Sequence, residues 1–431
     1  MRVYTERKGG LIMLIQFSFK NFRSFRDEAV LDLTATNAKE FIEHIHKIGN
    51  EKILPIAAIF GANASGKSNI YNAFEYMTQY VLHSFSFGDE DIAKDSKIKP
   101  TPFLFDTESV KKASVFEVYF TIPTDERKKV YNYGFSINRQ GIEEEWLNCK
   151  SRTARDYKII FYRNTKTNEI DLSGIPKRNQ DNIKVSLEQQ TLIVSLGAKL
   201  KIEKCKIIRD WFGLNSLSNF ADPVESLFRY SLIPENFADD KKVQDRVVKF
   251  FASFDNSIKG FSVKESELDE DKGRRYLINA LHENSKSGEF EEIPLSEESA
   301  GTLKMFALYP ELQSVLEKGA ILFVDELNAR LHPLLMRNIL LLFLNPKINL
   351  NHAQLIFTTH DLIPMSNTLL RRDEIWFTKK SNEGISELYS LADFKDEMGK
   401  YIRKDVNYIK NYLLGNYGAI PILQDMKLIE E

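Results

Sequence analysis

With 431 residues, 43% of them hydrophobic and 12% aromatic, the chain is long for one simple domain and has ample material for a core. A formal net charge of −2 excludes a global basic field for nucleic acid, so any such contact is local. Cys149 and Cys205 lie far apart without metal-ligand spacing, and no run of 18 apolar residues occurs, which excludes a membrane span and fits a cytoplasmic protein in a reducing compartment.

The first ten residues are polar and the apolar stretch 11–15 is too short for a signal-peptide core; Met13 reads as the natural start and residues 1–12 as a leader. Residues 14–20 read as a strand, followed by Asn21-Phe22-Arg23-Ser24-Phe25 and a second strand near 29–33. Arg23 is open to two readings, an ordinary strand end with packed aromatics or a contact to a nucleotide base or phosphate.

Next comes the apolar run Ile53-Leu54-Pro55-Ile56-Ala57-Ala58-Ile59-Phe60, the pattern of a buried parallel strand. It runs into Gly61-Ala62-Asn63-Ala64-Ser65-Gly66-Lys67-Ser68, an ungapped match to the phosphate loop G-x-x-x-x-G-K-[ST]. Asn69 and the residues up to Met77 then carry apolar positions at helical spacing. Strand, glycine-bearing loop and helix together favour a phosphate loop over a turn with no ligand. Gly61 and Gly66 permit close backbone approach, and successive N–H groups with the positive helix end face the β-phosphate. Lys67 reaches the β- and γ-phosphates of ATP, and the Ser68 hydroxyl ligates Mg2+.

Residues 84–99 are polar and read as a loop. Segments 114–122, 130–138, 141–148 and 158–163 alternate as antiparallel strands with one wet face, forming a sheet beside the nucleotide-binding core. Residues 182–254 are helical in texture; within them 200–209 carries four basic residues and one acid, a solvated helix face before it is a DNA-binding stripe. Segments 258–263 and 274–282 read as a strand pair joined by an acidic turn at 265–271. His282-Glu283-Asn284 stands isolated on a strand, so no nuclease site is visible.

Leu295-Ser296-Glu297-Glu298-Ser299-Ala300-Gly301-Thr302 leads into a helix. Ser299 is either a helix cap or, by the same physics, part of an anion site for the γ-phosphate held by a second subunit. Ile321-Leu322-Phe323-Val324 ends in Asp325 and Glu326, carboxylates delivered at the C-terminal end of a buried strand. Asp325 belongs to the magnesium shell, and Glu326 orients or deprotonates the attacking water. Gln354-Leu355-Ile356-Phe357-Thr358-Thr359-His360-Asp361 is another such strand; His360 either serves structure or contacts the γ-phosphate.

The order of phosphate loop, S-x-G-T helix start, Phe-Val-Asp-Glu strand and Thr-Thr-His resembles the ABC-type ATPase heads of SMC and RecF proteins. Phe19-Lys20-Asn21-Phe22-Arg23-Ser24-Phe25, the phosphate loop through Asn69, and Leu331-His332-Pro333 resemble bacterial AAA-type antiphage ATPases: the RloA/AbiL group, the PARIS ATPase and the ATPase half of OLD-type nucleases. The stretch Tyr412 to Pro421 is most similar to RloA-type proteins. The resemblance implies an α/β P-loop head with a mixed central sheet, an added antiparallel sheet and a helical insertion, divided as 13–181, 182–255 and 256–431. It makes Asn63, Ala64, Ser65, Gly66, Lys67, Ser68 and Asn69 nucleotide contacts, Ser68 and Asp325 the magnesium ligands, and Lys67, Glu326 and His360 the catalytic set. Ser299 and Gly301 become the signature that reaches a partner's nucleotide, although Ala300 stands where transporters have glycine and 329–332 lacks the usual aspartate. It further implies an ATP-dependent homodimer acting as sensor and scaffold for a separate effector, Toprim-like or RloB-type, with DNA or a phage protein as trigger. Two other classes stay open: a RecF/SMC-like DNA-repair ATPase, and a nucleotide-gated scaffold with negligible turnover.

Overall fold

The computed structural model describes residues 13–48, 51–87, 99–122, 129–151, 154–222, 237–252, 256–266, 275–329, 331–395, 399, 401–403 and 406–420. The leader, much of the 84–99 loop and most of the acidic turn lie outside them.

In chain order, β1 (Met13–Lys20) and β2 (Ala29–Asp32) precede a small hairpin of β3 (His46–Ile48) and β4 (Glu51–Ile53). β5 (Ile56–Gly61) feeds the helix Lys67–His83. A meander follows: β6 (Ser114–Thr121), β7 (Val130–Ile137), β8 (Ile142–Lys150), β9 (Lys158–Asn164) and β10 (Glu169–Asp171). Helices Lys177–Ser186, Ile193–Lys199 and Glu203–Leu214 lead to β11 (Ser216–Asn219) and the helix Lys241–Phe251. β12 (Ile258–Ser266), β13 (Arg275–Glu283) and β14 (Phe290–Pro294) form a three-stranded sheet before the helix Ala300–Lys318. The chain continues through β15 (Ile321–Asp325), helix Pro333–Leu344, β16 (Gln354–Thr358), β17 (Ile375–Lys380), β18 (Ser386–Ser390) and helix Tyr408–Leu413.

The central sheet runs β11-β15-β16-β5-β17-β18, parallel except for the antiparallel β18. Its strands read as continuous apolar runs because both faces are covered. Along β5, Ala57 and Ile59 enter one core while Ile56, Ala58 and Phe60 enter the other, and β15 divides in the same way between Ile321 and Phe323 on one side and Leu322 and Val324 on the other. The first core is shared with helix Lys67–His83 and the antiparallel sheet β10-β9-β8-β7-β6-β1-β2. The second lies under helices Ala300–Lys318, Pro333–Leu344 and Tyr408–Leu413. The expected α/β class, with a mixed central sheet and an antiparallel sheet beside it, is the one observed.

Two expectations need correction. Residues 182–254 are not helical throughout, because β11 joins the edge of the central sheet beside β15. The antiparallel strands do not keep a uniformly wet face either. Glu145 of β8 is fully buried, its carboxylate accepting the N–H groups of Ile193 (2.6 Å) and Val194 (3.1 Å) at the start of helix Ile193–Lys199 and the Tyr133 hydroxyl (3.2 Å). Free N–H groups at a helix start need acceptors, and here the neighbouring sheet supplies one.

Candidate functional site

The loop after β5 is fixed by its glycines. A Cβ on Gly61 would collide with the side chain and carbonyl of Thr378 on the adjacent β17. Gly66 has φ +113° and a Cβ there would come 2.5 Å from the Ser386 Oγ, so conformation and space both demand glycine. Ala64 holds a left-handed conformation (φ 62°) without that excuse, a strain typical of ligand-binding loops.

Neighbouring strands fasten this loop from outside. The Ser65 Oγ lies 2.6 Å from the Thr378 Oγ1, and the Ser386 Oγ lies 2.7 Å from the Ser65 carbonyl and 2.8 Å from the Ser24 Oγ. Asn69 Nδ2 donates to the Ser24 Oγ (2.7 Å), and the Ala62 N–H donates to the Ala419 carbonyl (3.1 Å) near the end of the described chain. Lys67 is buried and its Nζ donates to the Gly61 and Ala62 carbonyls at 2.9 and 3.0 Å. Burial lowers its pKa, and the charges of Glu326 and Asp325 push it back up, so the ammonium sits in the field of both acids.

The two acids arrive on β15, in register with β16. Asp325, only 1% exposed, accepts a hydrogen bond from the Thr358 Oγ1 (2.6 Å) and another from the Ser68 hydroxyl. Burial raises its pKa; those two bonds and Lys67 hold the rise in check. The Thr358 Oγ1 in turn accepts the Glu326 N–H (2.8 Å), which helps hold Glu326 at φ 57°. The Glu326 Oε1 lies 3.0 Å from the His360 Nε2. Burial alone would raise the Glu326 carboxyl, but the bond to His360 and the charges of His360, Lys67 and Lys304 outweigh it and leave the pKa below the ordinary value. Asn328 fixes the histidine's strand end, its Oδ1 accepting from the Thr359 Oγ1 (2.9 Å) and the His360 N–H (3.2 Å).

A cleft of about 360 Å3 results, lined by Asn63, Ala64, Gly66, Lys67, Ser68, Asn69, Glu326, His360 and Lys380. It unites residues more than 250 positions apart in the sequence order that were expected to share a site. Its chemistry suits a magnesium-bound polyphosphate: backbone N–H groups and an ammonium for phosphate oxygens, and hard oxygen donors on Ser68 and Asp325 for Mg2+. Ser65 and Asp325 stand one layer back from the lining. Arg23 is exposed, its guanidinium 5.6 Å over the Phe22 ring, and does not line the cleft. Ser299 caps its helix, its Oγ accepting the Thr302 N–H at 3.1 Å, and neither it nor Gly301 lines the cleft of its own chain. Sequence reasoning missed Lys380, although it too sits at the end of an apolar parallel strand, and the supporting Asn328, Thr378 and Ser386.

A family model described as "AAA domain, putative AbiEii toxin, Type IV TA system" matches residues 56–363, from β5 to just past His360. The chain belongs to this AAA-domain family. The match takes in the phosphate loop, Ser299, the strand-end acids and His360, and leaves outside it Arg23 with the stretch 19–25 and the stretch from Tyr412 to Pro421. No curated protein sequence matches it. Among solved structures it is similar to an Smc head bound to the C-winged helix domain of ScpA (15% identity, 88% of this chain and 97% of that one, TM-score 0.42). It is also similar to the Pyrococcus furiosus Smc head with an extended coiled coil bound to the C-terminal domain of ScpA (15% identity, 88% and 96%, TM-score 0.39). Overlap at this level carries no argument about activity or partners. Among the described residues no helix is long and apolar enough to cross a membrane.

Proposed function

We propose that this AAA-domain protein binds ATP with Mg2+ and hydrolyses it, and that two copies close on the nucleotide as the switch of an antiphage system whose toxic output belongs to a separate effector. The observation that carries the reading is the single cleft in which Lys67, Ser68, Glu326 and His360 meet, with Asp325 hydrogen-bonded to Ser68 behind them.

The loop N–H groups and Lys67 hold the β- and γ-phosphates, exchanging the Lys67 bonds to loop carbonyls for bonds to phosphate. Ser68 and Asp325 hold Mg2+, which supplies charge neutralisation when bound. Glu326 takes a proton from the attacking water, and its bond to His360 favours the ionised form able to do so. Ser299, exposed at the start of its helix, donates to the γ-phosphate of the second copy's ATP. The separate effector rests on the resemblance of the motifs alone, since the family description names a putative toxin of a Type IV TA system.

Steady-state hydrolysis tests this directly. Glu326→Gln should cut turnover by roughly a hundredfold or more while ATP binding persists. Hydrolysis by that variant at the unmodified rate would remove Glu326 from the mechanism, and strong stimulation by DNA would shift the reading toward a DNA-repair ATPase.

A further inference from the structure

The cleft has two distinct ends. In the sheet order β15-β16-β5-β17, Glu326 and His360 lie to one side of the phosphate loop, and Lys380, at the end of β17, lies to the other. On the ATPase reading, which this inference extends, the first side is the γ-phosphate end. The nucleoside therefore points toward Lys380.

Outside the lining itself, across Gly384 from Lys380, the chain displays a large aromatic ring. Phe105 is 73% exposed, touched edge-on by Phe103 at a centroid distance of 5.6 Å. It lies against Gly384 in the turn between β17 and β18: a Cβ there would be 2.8 Å from the Phe105 Cδ2 and 3.8 Å from the Lys380 Cε. Gly384 has φ +78° and so supplies both the turn and the room for the ring. The stretch holding Phe105 is tied to the phosphate loop through the Arg23 turn: the Arg23 N–H donates to the Thr101 carbonyl (2.7 Å), and the adjoining Ser24 bonds Asn69. No carboxylate among the described residues pairs with Lys380 within ion-pair distance. The exposed ring and the exposed ammonium flank the same turn, an arrangement complementary to a base and its 5′-phosphate.

We propose that Phe105 is the stacking surface for the nucleobase of the bound nucleotide and that Lys380 meets its α-phosphate. Stacking on an aromatic face tolerates any base, so the pair contributes affinity more than discrimination between ATP and GTP.

Calorimetric titration of the full chain with Mg-ATP, Mg-GTP and inorganic tripolyphosphate separates the base from the phosphates. Phe105→Ala and Phe105→Leu should each weaken ATP and GTP by about tenfold, Phe105→Trp should stay within about twofold, and tripolyphosphate affinity should be unchanged in all three. Lys380→Met should weaken ATP and tripolyphosphate together. Because Phe105 is exposed, the leucine variant retains apolar bulk and guards against a folding artefact. ATP affinity within about twofold of the unmodified chain in Phe105→Ala, or an equal loss for tripolyphosphate, overturns the proposal. Failure of the unmodified chain to bind either ligand would instead overturn the ATPase reading, and Lys67→Ala, which should lose both, reports on that reading separately.

Discussion

The phosphate-loop end and the Ser299 end of this molecule are built to different rules. The first is fastened by several segments of its own chain: Thr378 from the adjacent β17, Ser386 from β18, Ser24 from the turn after β1, and Ala419 from near the last described residue. The second is exposed at its tip, where the Ser299 hydroxyl bonds Thr302 within its own helix start. Behind that tip the helix is anchored, since the buried Lys304 donates to the carbonyls of Leu327 and Ala329, in the loop that follows Glu326. One end is held by bonds from several separate segments, and the other is exposed at its tip yet joined through Lys304 to the loop that follows Glu326. This contrast motivates the composite site proposed above.

The contrast is broken most severely by exchanging its two key residues. Lys67→Ala should abolish measurable ATP binding, whereas Ser299→Arg should leave binding of ATP to the monomer intact and still lower turnover by about a hundredfold. Equilibrium binding beside steady-state hydrolysis distinguishes them; equal losses of binding in both variants would mean that the two ends do not differ as described.

A smaller effect is expected behind the cleft. Thr358→Val keeps the shape but leaves the Asp325 carboxylate with one hydroxyl donor in place of two and the Glu326 N–H without its acceptor. Stability should fall by about 1–3 kcal/mol in chemical denaturation, and the magnesium needed for half-maximal turnover should rise, because Asp325 is no longer held toward Ser68.

The smallest lies outside both ends and calibrates them. Burial pushes the Glu145 carboxyl up to about 7, against the bonds from Ile193, Val194 and Tyr133. Below its unfolded pKa, near 4.5, folded and unfolded chains both keep the proton. As pH rises from there to about 7 the unfolded chain releases it first, so the stability tied to this group is lost with rising pH. Glu145→Gln should flatten that slope in a pH series of denaturation curves without changing the pH profile of hydrolysis. A changed hydrolysis profile would tie the antiparallel sheet to the site.

The legible parts of the sequence share one physical cause. Strands buried on both faces must be apolar throughout, and they deliver polar residues at their C-terminal ends, so Gly61, Asp325, Glu326 and His360 announce themselves at the ends of apolar runs. β11 breaks that rule: Ser216-Leu217-Ser218-Asn219 is a short, largely polar strand at a sheet edge, with Ser218 buried against Glu311 through a 2.6 Å hydrogen bond. Glu145 was hidden because a charge in an alternating strand normally faces water, and its acceptor role depends on a helix 48 residues away. Lys380 and Ser386 were hidden because the place of the one in the cleft lining and the bond of the other to the Ser65 carbonyl exist only after β17 has paired with β5.

The central claim, that a site gripped by one copy is completed by Ser299 of another, is tested most directly by subunit complementation. Lys67→Ala and Ser299→Arg protomers, each nearly inactive alone, are mixed and assayed for ATP hydrolysis. The account predicts recovery to roughly a quarter of the unmodified rate, because half of the randomly formed pairs carry one intact composite site. Activity no higher than the sum of the separate variants, with both chains folded and the Ser299→Arg chain still binding ATP, would contradict it.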